Sequence, residues 1–113
     1  MNIDSPQQVA RIRDLNNLFR RTFIGGRVVM TDGVAALPEE TKAQVLTRVR
    51  EFNEFSADND PHGENDMGFF EVDGERFMFC ISYYEPAMQF HSEDPGDPTK
   101  TVRVLTVMRA EEY

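Results

Sequence analysis

Residues 67–84 read MGFFEVDGERFMFCISYY and indicate the architecture of the whole chain. Asp73-Gly74 is the connection most typical of a β-hairpin, because both central positions of a type I′ turn need positive φ. Strands are therefore expected over Met67–Val72 and Glu75–Tyr84. In the second strand, Phe77, Phe79, Ile81 and Tyr83 alternate with Met78, Cys80, Ser82 and Tyr84. Large apolar side chains on both faces are typical of a central strand, so the second strand of this hairpin should lie in the middle of a sheet.

Two helices are predicted before the hairpin. Ser5 and Pro6 suit a capping position and a first helical position, and apolar residues then recur every three or four positions to about Arg21. The second helix opens around Pro38, followed by two carboxylates at the positive end of the helix dipole, and should end before Asp58. The expected buried stripes are Val9, Ile12, Leu15, Leu18 and Phe19 in the first helix and Val45, Leu46, Val49 and Phe52 in the second.

Two further strands complete the predicted fold. Arg27–Thr31 is a short β-prone run closed by the turn pair Asp32-Gly33, and Val102–Ala110 is a last strand. Residues 85–100 contain three prolines and should form an exposed loop. The predicted class is α+β, with two helices packed on one face of a mostly antiparallel sheet of three to four strands. A chain of 113 residues with 40% hydrophobic and 28% charged residues should form a single domain over residues 1–113.

The sequence predicts a cytoplasmic protein without a membrane partner. No apolar run approaches the ~20 residues that cross a bilayer, and the first residues lack the apolar segment of a secretory signal. Cys80 is the only cysteine, so it cannot form an internal disulfide, and its apolar surroundings favour a small hydrophobe over a nucleophile. No P-loop, dinucleotide-binding turn or serine-hydrolase motif occurs, so we predict no cofactor and no catalytic residue.

The charge is strongly divided along the chain. Residues 1–50 hold eight Lys/Arg against five Asp/Glu, whereas residues 51–113 hold four against fifteen, giving +3 and −11. Between Glu51 and Glu75 there are nine acids and no Lys or Arg. Phosphate binding needs a basic face, so direct nucleic-acid binding by the second half is disfavoured. The acids that we expect to bind a basic partner are Asp58, Asp60, Glu64, Asp66, Asp73, Glu75, Glu93, Asp94 and Asp97.

The loop sequence DNDPHGEND, residues 58–66, offers an alternative. Imidazole and carboxylate groups are ligands of transition metals, so His62, Glu64 and Asp66, together with His91, are candidates for a metal or general-base site. The spacing fixes no geometry, and no HExxH pair is present on a helix. A solvated polar turn is the competing interpretation.

Several segments resemble a bacterial domain family of unknown function, DUF3768. They are RIRDLNNLFRRTF, GGRVVMTDGVAALPEE, FSADNDPHGENDMGFFEVDG, ISYY and TVRVLTVMRAEEY, spread from Arg11 to Tyr113. The resemblance implies an alphaproteobacterial, plasmid-associated setting but no activity and no site residues. The family often has a second histidine where this chain has Asn65, and an aromatic residue at Met67, which weakens a two-histidine metal site here.

Three function hypotheses follow from the sequence. The first is a non-enzymatic inhibitor or adaptor carried by mobile elements, which binds a basic surface of a nucleic-acid-handling partner such as a CRISPR effector or restriction enzyme. Its carboxylates would accept hydrogen bonds from Lys or Arg and could mimic nucleic-acid phosphates. The second is a small metal-assisted enzyme using the 58–66 loop. The third is a toxin-like ribonuclease, suggested by fold analogy alone and disfavoured by the −11 charge.

Overall fold

The first helix begins where its sequence caps it. The computed structural model describes residues 5–113. Helix α1 spans Pro6–Thr22, and the Ser5 side chain accepts a hydrogen bond from the backbone N–H of Gln8 at 3.1 Å. A short helix, α2, spans Asp32–Ala35. Helix α3 spans Glu39–Glu51, with acidic residues in its first turn and arginines in its last, as the helix dipole favours.

Four strands form one mixed sheet in the order β1-β4-β3-β2. Their bounds are β1 Gly26–Met30, β2 Met67–Val72, β3 Glu75–Tyr84 and β4 Val102–Arg109, followed by a 3₁₀ turn over Ala110–Glu112. The β2-β3 hairpin and the β3-β4 pair are antiparallel, whereas β1 runs parallel to β4. The predicted α+β class with a mostly antiparallel sheet is confirmed, and β3 is a central strand as its two-sided bulk indicated.

The core lies between the helices and one face of the sheet. Phe79 pairs with Val107, and Ile81 pairs with Leu105, so these side chains share a face. The buried cluster joins that face to residues of all three helices and of the chain that follows α3. Its members are Phe19, Val34, Val45, Val49, Phe52, Phe70, Val72, Phe77, Phe79, Ile81, Leu105 and Val107. The prediction that α1 and α3 cover a single face is therefore consistent with the packing.

Two sequence predictions need correction. Leu18 is 60% exposed instead of buried, because the inward face of α1 runs through Ile12, Asn16 and Phe19, and Leu18 lies about 100° around the helix from Phe19. The Asp32-Gly33 pair is not a simple turn after β1 but the start of α2. There, the Glu112 carboxylate accepts hydrogen bonds from Thr31 Oγ1 at 2.7 Å and the Gly33 N–H at 3.1 Å.

Within residues 5–113, none of the helices combines the length and the apolar character needed to cross a lipid bilayer.

Candidate functional site

A buried polar network lies at the end of the sheet where β2 begins, β3 ends and β4 begins. Its centre is Asn16 of α1, which is fully buried. The Asn16 amide donates to the backbone oxygen of Glu64 at 2.9 Å and to Tyr83 Oη at 2.8 Å. Its side-chain oxygen accepts from Arg103 Nε at 2.7 Å. One amide thus connects α1, the 58–66 loop, β3 and β4.

Tyr83 and Arg103 are fixed by this network and by each other. The Tyr83 hydroxyl donates to Glu64 Oε1 at 2.8 Å, and the Arg103 guanidinium lies 5.2 Å from the centre of the Tyr83 ring. Burial is the main reason that the pKa of Tyr83 is raised, and burial also lowers the pKa of Arg103. A tyrosine whose pKa is raised stays protonated at neutral pH, so it serves here as a hydrogen-bond donor.

A second buried arginine fastens α1 to the end of α3. Arg20 is 1% exposed, and it donates to the backbone oxygens of Val49 and Arg50 and to Asn17 Oδ1. Burial, with a smaller contribution from Arg21, lowers the pKa of Arg20 to about 10. The Asn17 oxygen also accepts from the Asn65 amide at 3.1 Å. The 58–66 loop is therefore bound to α1 at a second point.

The acids of the 58–66 loop serve largely to shape it. Asp60 is 8% exposed, and its carboxylate accepts the Asn65 N–H. Arg13 of α1 donates to the Gly63 oxygen at 3.0 Å. Asp66 is half-buried, and desolvation raises its pKa. Asp58 and His62 are exposed. Most of the polar groups in this loop face the protein instead of solvent.

The start of the 85–100 loop is organised by one carboxylate. Glu85 accepts hydrogen bonds from the backbone N–H groups of Ala87, Gln89 and Phe90 at 2.9, 2.8 and 3.2 Å. These three bonds lower the pKa of Glu85. The Glu85 N–H also donates to the Phe90 oxygen, and Met88 takes the left-handed conformation with φ 64°. The result is a closed turn that holds Phe90 in a defined position, 70% exposed.

The rest of this loop is also tied to the sheet. His91 forms a β-bridge with Tyr84 and stacks on its ring at 5.5 Å between ring centres. Thr101 Oγ1 donates to the Asp94 backbone oxygen, and Arg103 donates to the Pro95 oxygen. A cleft of about 680 Å³ opens on this loop. It is lined by Gln8, Glu85, Pro86, Phe90, His91, Glu93, Asp94, Thr99 and Lys100.

The nine predicted acids occupy two ends of the sheet. Asp73 lies in the β2-β3 turn, and Glu75 forms an ion pair with Arg109 nearby. The other seven, in the 58–66 and 85–100 loops, lie at the opposite end, about 30 Å away along β3 for a rise of ~3.3 Å per residue. Arg13 contacts the first of these loops, and Arg11 approaches the second at Gly96. Two arginines of α1 thus accompany the two acidic loops.

The carboxylates of the 85–100 loop differ in their roles. Asp97 accepts hydrogen bonds from the N–H and the hydroxyl of Thr99, and these bonds are the main reason that its pKa is lowered. Glu93 is exposed and Asp94 is half-buried. The loop therefore presents negative charge beside Phe90.

Among residues 5–113, no three His, Cys, Asp or Glu side chains are grouped so that they could hold a metal ion. His62 is exposed in its turn, His91 is stacked on Tyr84, and Glu64 is bonded to Tyr83. The four candidate ligands therefore do not form a metal-binding cluster among the described residues. Burial raises the pKa of the Cys80 thiol, which opposes thiolate chemistry there.

Sequence reasoning missed Asn16, Arg20 and Arg103, which form the buried polar contacts of α1. It also missed that the Glu85 carboxylate closes the turn after β3. Asn16 gave a detectable signal: it lies four residues after Ile12 and three before Phe19, in the middle of an apolar stripe. A polar residue at such a position needs internal hydrogen-bond partners. Nothing local identifies those partners, because they are 48 to 87 residues away in the chain.

The chain matches the family described as "Protein of unknown function (DUF3768)" over residues 30–112. The match covers β2, β3, β4 and both loops at the acidic end, and it begins at the last residue of β1. No curated protein and no solved structure matches the chain. The chain belongs to the DUF3768 family.

Proposed function

We propose that this DUF3768 protein is a non-enzymatic adaptor or inhibitor that binds a basic surface of another protein through its 85–100 loop. The observation that carries the proposal is the position of Phe90, 70% exposed on a turn closed by Glu85 and next to Glu93 and Asp94. An aromatic anchor surrounded by charged groups is typical of the centre and rim of a protein interface.

The rigidity of the loop supports binding. The turn is closed by three hydrogen bonds to Glu85 and joined to β3 by the His91–Tyr84 bridge. A preorganised loop loses less conformational entropy when a partner binds, so more of the contact energy remains as affinity. The cleft beside Phe90 suits a lysine or arginine side chain of the partner, because the carboxylates of the cleft would accept hydrogen bonds from it.

The partner class follows from charge. The chain carries a formal net charge of −8, and an acidic surface accelerates association with a basic protein at low salt. A basic groove that handles nucleic acid is a suitable target, which makes an anti-CRISPR or anti-restriction role by nucleic-acid mimicry the specific form of the proposal. The plasmid setting implied by the family resemblance supports that choice. The metal-assisted enzyme is not proposed, because within residues 5–113 its candidate residues are not grouped so that three of them could hold a metal ion.

The test is capture of a partner by tagged protein from cells that carry CRISPR and restriction systems, followed by affinity measurement with the purified partner. Phe90→Ala and Glu93→Lys should each weaken binding at least about tenfold, as expected for a hot-spot residue and a reversed contact charge. Binding should also weaken as salt rises from low to physiological concentration, because exposed charges are screened.

Glu40→Lys is the matched control, since it makes the same charge change at an exposed position in the first turn of α3, next to the β2-β3 turn at the other end of the sheet. It should bind nearly as the parent does. Equal affinity for Phe90→Ala, Glu93→Lys and the parent would contradict the proposal. If Glu40→Lys weakened binding as strongly as Glu93→Lys, the effect would be one of net charge alone, and the 85–100 loop would be rejected as the binding site.

A further inference from the structure

The two edges of the sheet are treated differently. At the β2 edge, Arg48 of α3 donates to the Glu71 backbone oxygen at 2.6 Å and lies over the Phe70 ring. A side chain therefore occupies a hydrogen-bonding position that another strand would need. Natural sheets often protect edges in this way. The β1 edge has no such cover among the residues that the structure describes.

The open edge of β1 presents backbone hydrogen-bonding groups. The Thr31 N–H donates to the Val107 oxygen, so the backbone N–H and C=O groups of odd-numbered residues in this segment point toward β4. The register then directs the N–H and C=O groups of Gly26, Val28 and Met30 away from β4. No side chain within residues 5–113 is hydrogen-bonded to them. An edge of this kind is a template for one more strand.

Apolar side chains flank this edge on both faces of the sheet. Val29 is 45% exposed on the face opposite the helices, and Met30 is 37% exposed on the helix face. Ile24, two residues before the strand, is 75% exposed. An added strand would cover these groups while it satisfied the backbone.

The distribution of charge along β1 favours a second copy in antiparallel orientation. Arg27 stands near the start of the strand, and Asp32 follows its end beside the exposed Glu111-Glu112 turn. Neither Arg27 nor Asp32 has an ion-pair partner within the described range. Antiparallel pairing of two β1 strands places the basic start of each beside the acidic end of the other. Parallel pairing would instead place like charges together.

We infer that the chain forms a two-fold homodimer in which β1 pairs antiparallel with β1 of a second copy. Such a contact is self-complementary and closes after two chains. The Arg48 contact at the β2 edge opposes further growth of the sheet. The dimer edge is separate from the 85–100 loop, so this inference and the proposed function can fail independently.

The first test is sedimentation of the purified full chain over a range of concentrations. The parent should show a monomer–dimer equilibrium, and Val29→Lys should weaken it at least about tenfold, because each copy would add a positive charge on the sheet face that already carries Arg27 of both strands. Leu18→Lys is the matched control: Leu18 is also exposed, at 60%, but it lies on α1 outside the strand. Circular dichroism melting should show that both variants are folded.

A charge exchange tests the orientation. Arg27→Glu and Asp32→Lys should each weaken the dimer, and the double variant should be tighter than either single variant. Amide hydrogen exchange tests the edge itself: the N–H groups of Val28 and Met30 should exchange more slowly as protein concentration rises. A monomer at every concentration, equal weakening by Leu18→Lys, or a dimer without protection of these two amides would overturn the inference.

Discussion

Asn16 shows how a single buried side chain can organise a loop that contributes little to the apolar core. Its two donor bonds and one acceptor bond join the 58–66 loop, Tyr83 and Arg103. The bond to Arg103 Nε is the buried one of the three, since Asn16 is fully buried and Arg103 is 3% exposed. An unsatisfied buried polar group costs about 1–3 kcal/mol.

Asn16→Ala should therefore lower the free energy of unfolding by about 2–3 kcal/mol, because it removes three hydrogen bonds and leaves the buried Arg103 Nε without its acceptor. Urea unfolding followed by circular dichroism measures the change. Leu18→Ala, on the exposed side of the same helix, should change stability by less than about 0.5 kcal/mol. A loss below about 1 kcal/mol for Asn16→Ala would show that water replaces the amide without difficulty.

At the level of elements, the turn after β3 depends on the Glu85 carboxylate. Glu85→Gln keeps one acceptor oxygen but removes the charge and the second oxygen, so the amides of Ala87, Gln89 and Phe90 should exchange with solvent faster. Global stability should change little, because the turn is exposed. Hydrogen exchange read by NMR measures both effects. Glu93→Gln is the control. If both variants accelerated amide exchange equally, the Glu85 carboxylate would not be what closes the turn.

Elements specified by neighbouring residues could be predicted from the sequence. The β2-β3 hairpin follows from Asp73-Gly74, and the start of α1 follows from Ser5 and Pro6. The parallel pairing of β1 with β4 could not be read locally, because it joins residues 77 positions apart. The burial of the Arg20 side chain could not be read locally either, because it depends on hydrogen bonds to backbone oxygens at the end of α3.

Parts of the candidate site were predictable and others were not. The acidic character of the 85–100 loop was visible in the sequence, as were its prolines. The sequence did not show that Asp60 and Glu64 form hydrogen bonds within the protein, Asp60 with the Asn65 N–H and Glu64 with Tyr83. A carboxylate in a polar loop gives the same sequence pattern whether it faces solvent or another part of the chain. Composition identifies charge, and tertiary contacts decide which charges remain free for a partner.

For the whole molecule, the carboxylates predict how stability varies with pH. Hydrogen bonds lower the folded-state pKa values of Glu85, Asp97 and Glu112. The stability that they contribute is present above their unfolded pKa values, near ~4, and is lost as pH falls through the folded values. Asp66 has the opposite sign: its raised pKa means that the folded chain holds this proton more tightly, so ionisation of Asp66 opposes folding.

Thermal melting from neutral to acidic pH should therefore show a falling melting temperature below about pH 4.5, since three carboxylates lose their hydrogen-bonded charge. Asp66→Asn should melt above the parent at pH 7, and the difference should shrink in acid as Asp66 of the parent becomes protonated. A variant that melts below the parent at pH 7 would show that the charged form of Asp66 is stabilising.

The strand order also affects biosynthesis. β4 lies between β1 and β3, yet it follows both in the chain, so a nascent polypeptide exposes the unpaired sides of two strands until translation reaches residues 102–109. Unpaired strands are prone to aggregate before they are joined. Ribosome stalling or premature termination before Val102 would release a product without β4, one of its two central strands, and such a product should require chaperones or be degraded.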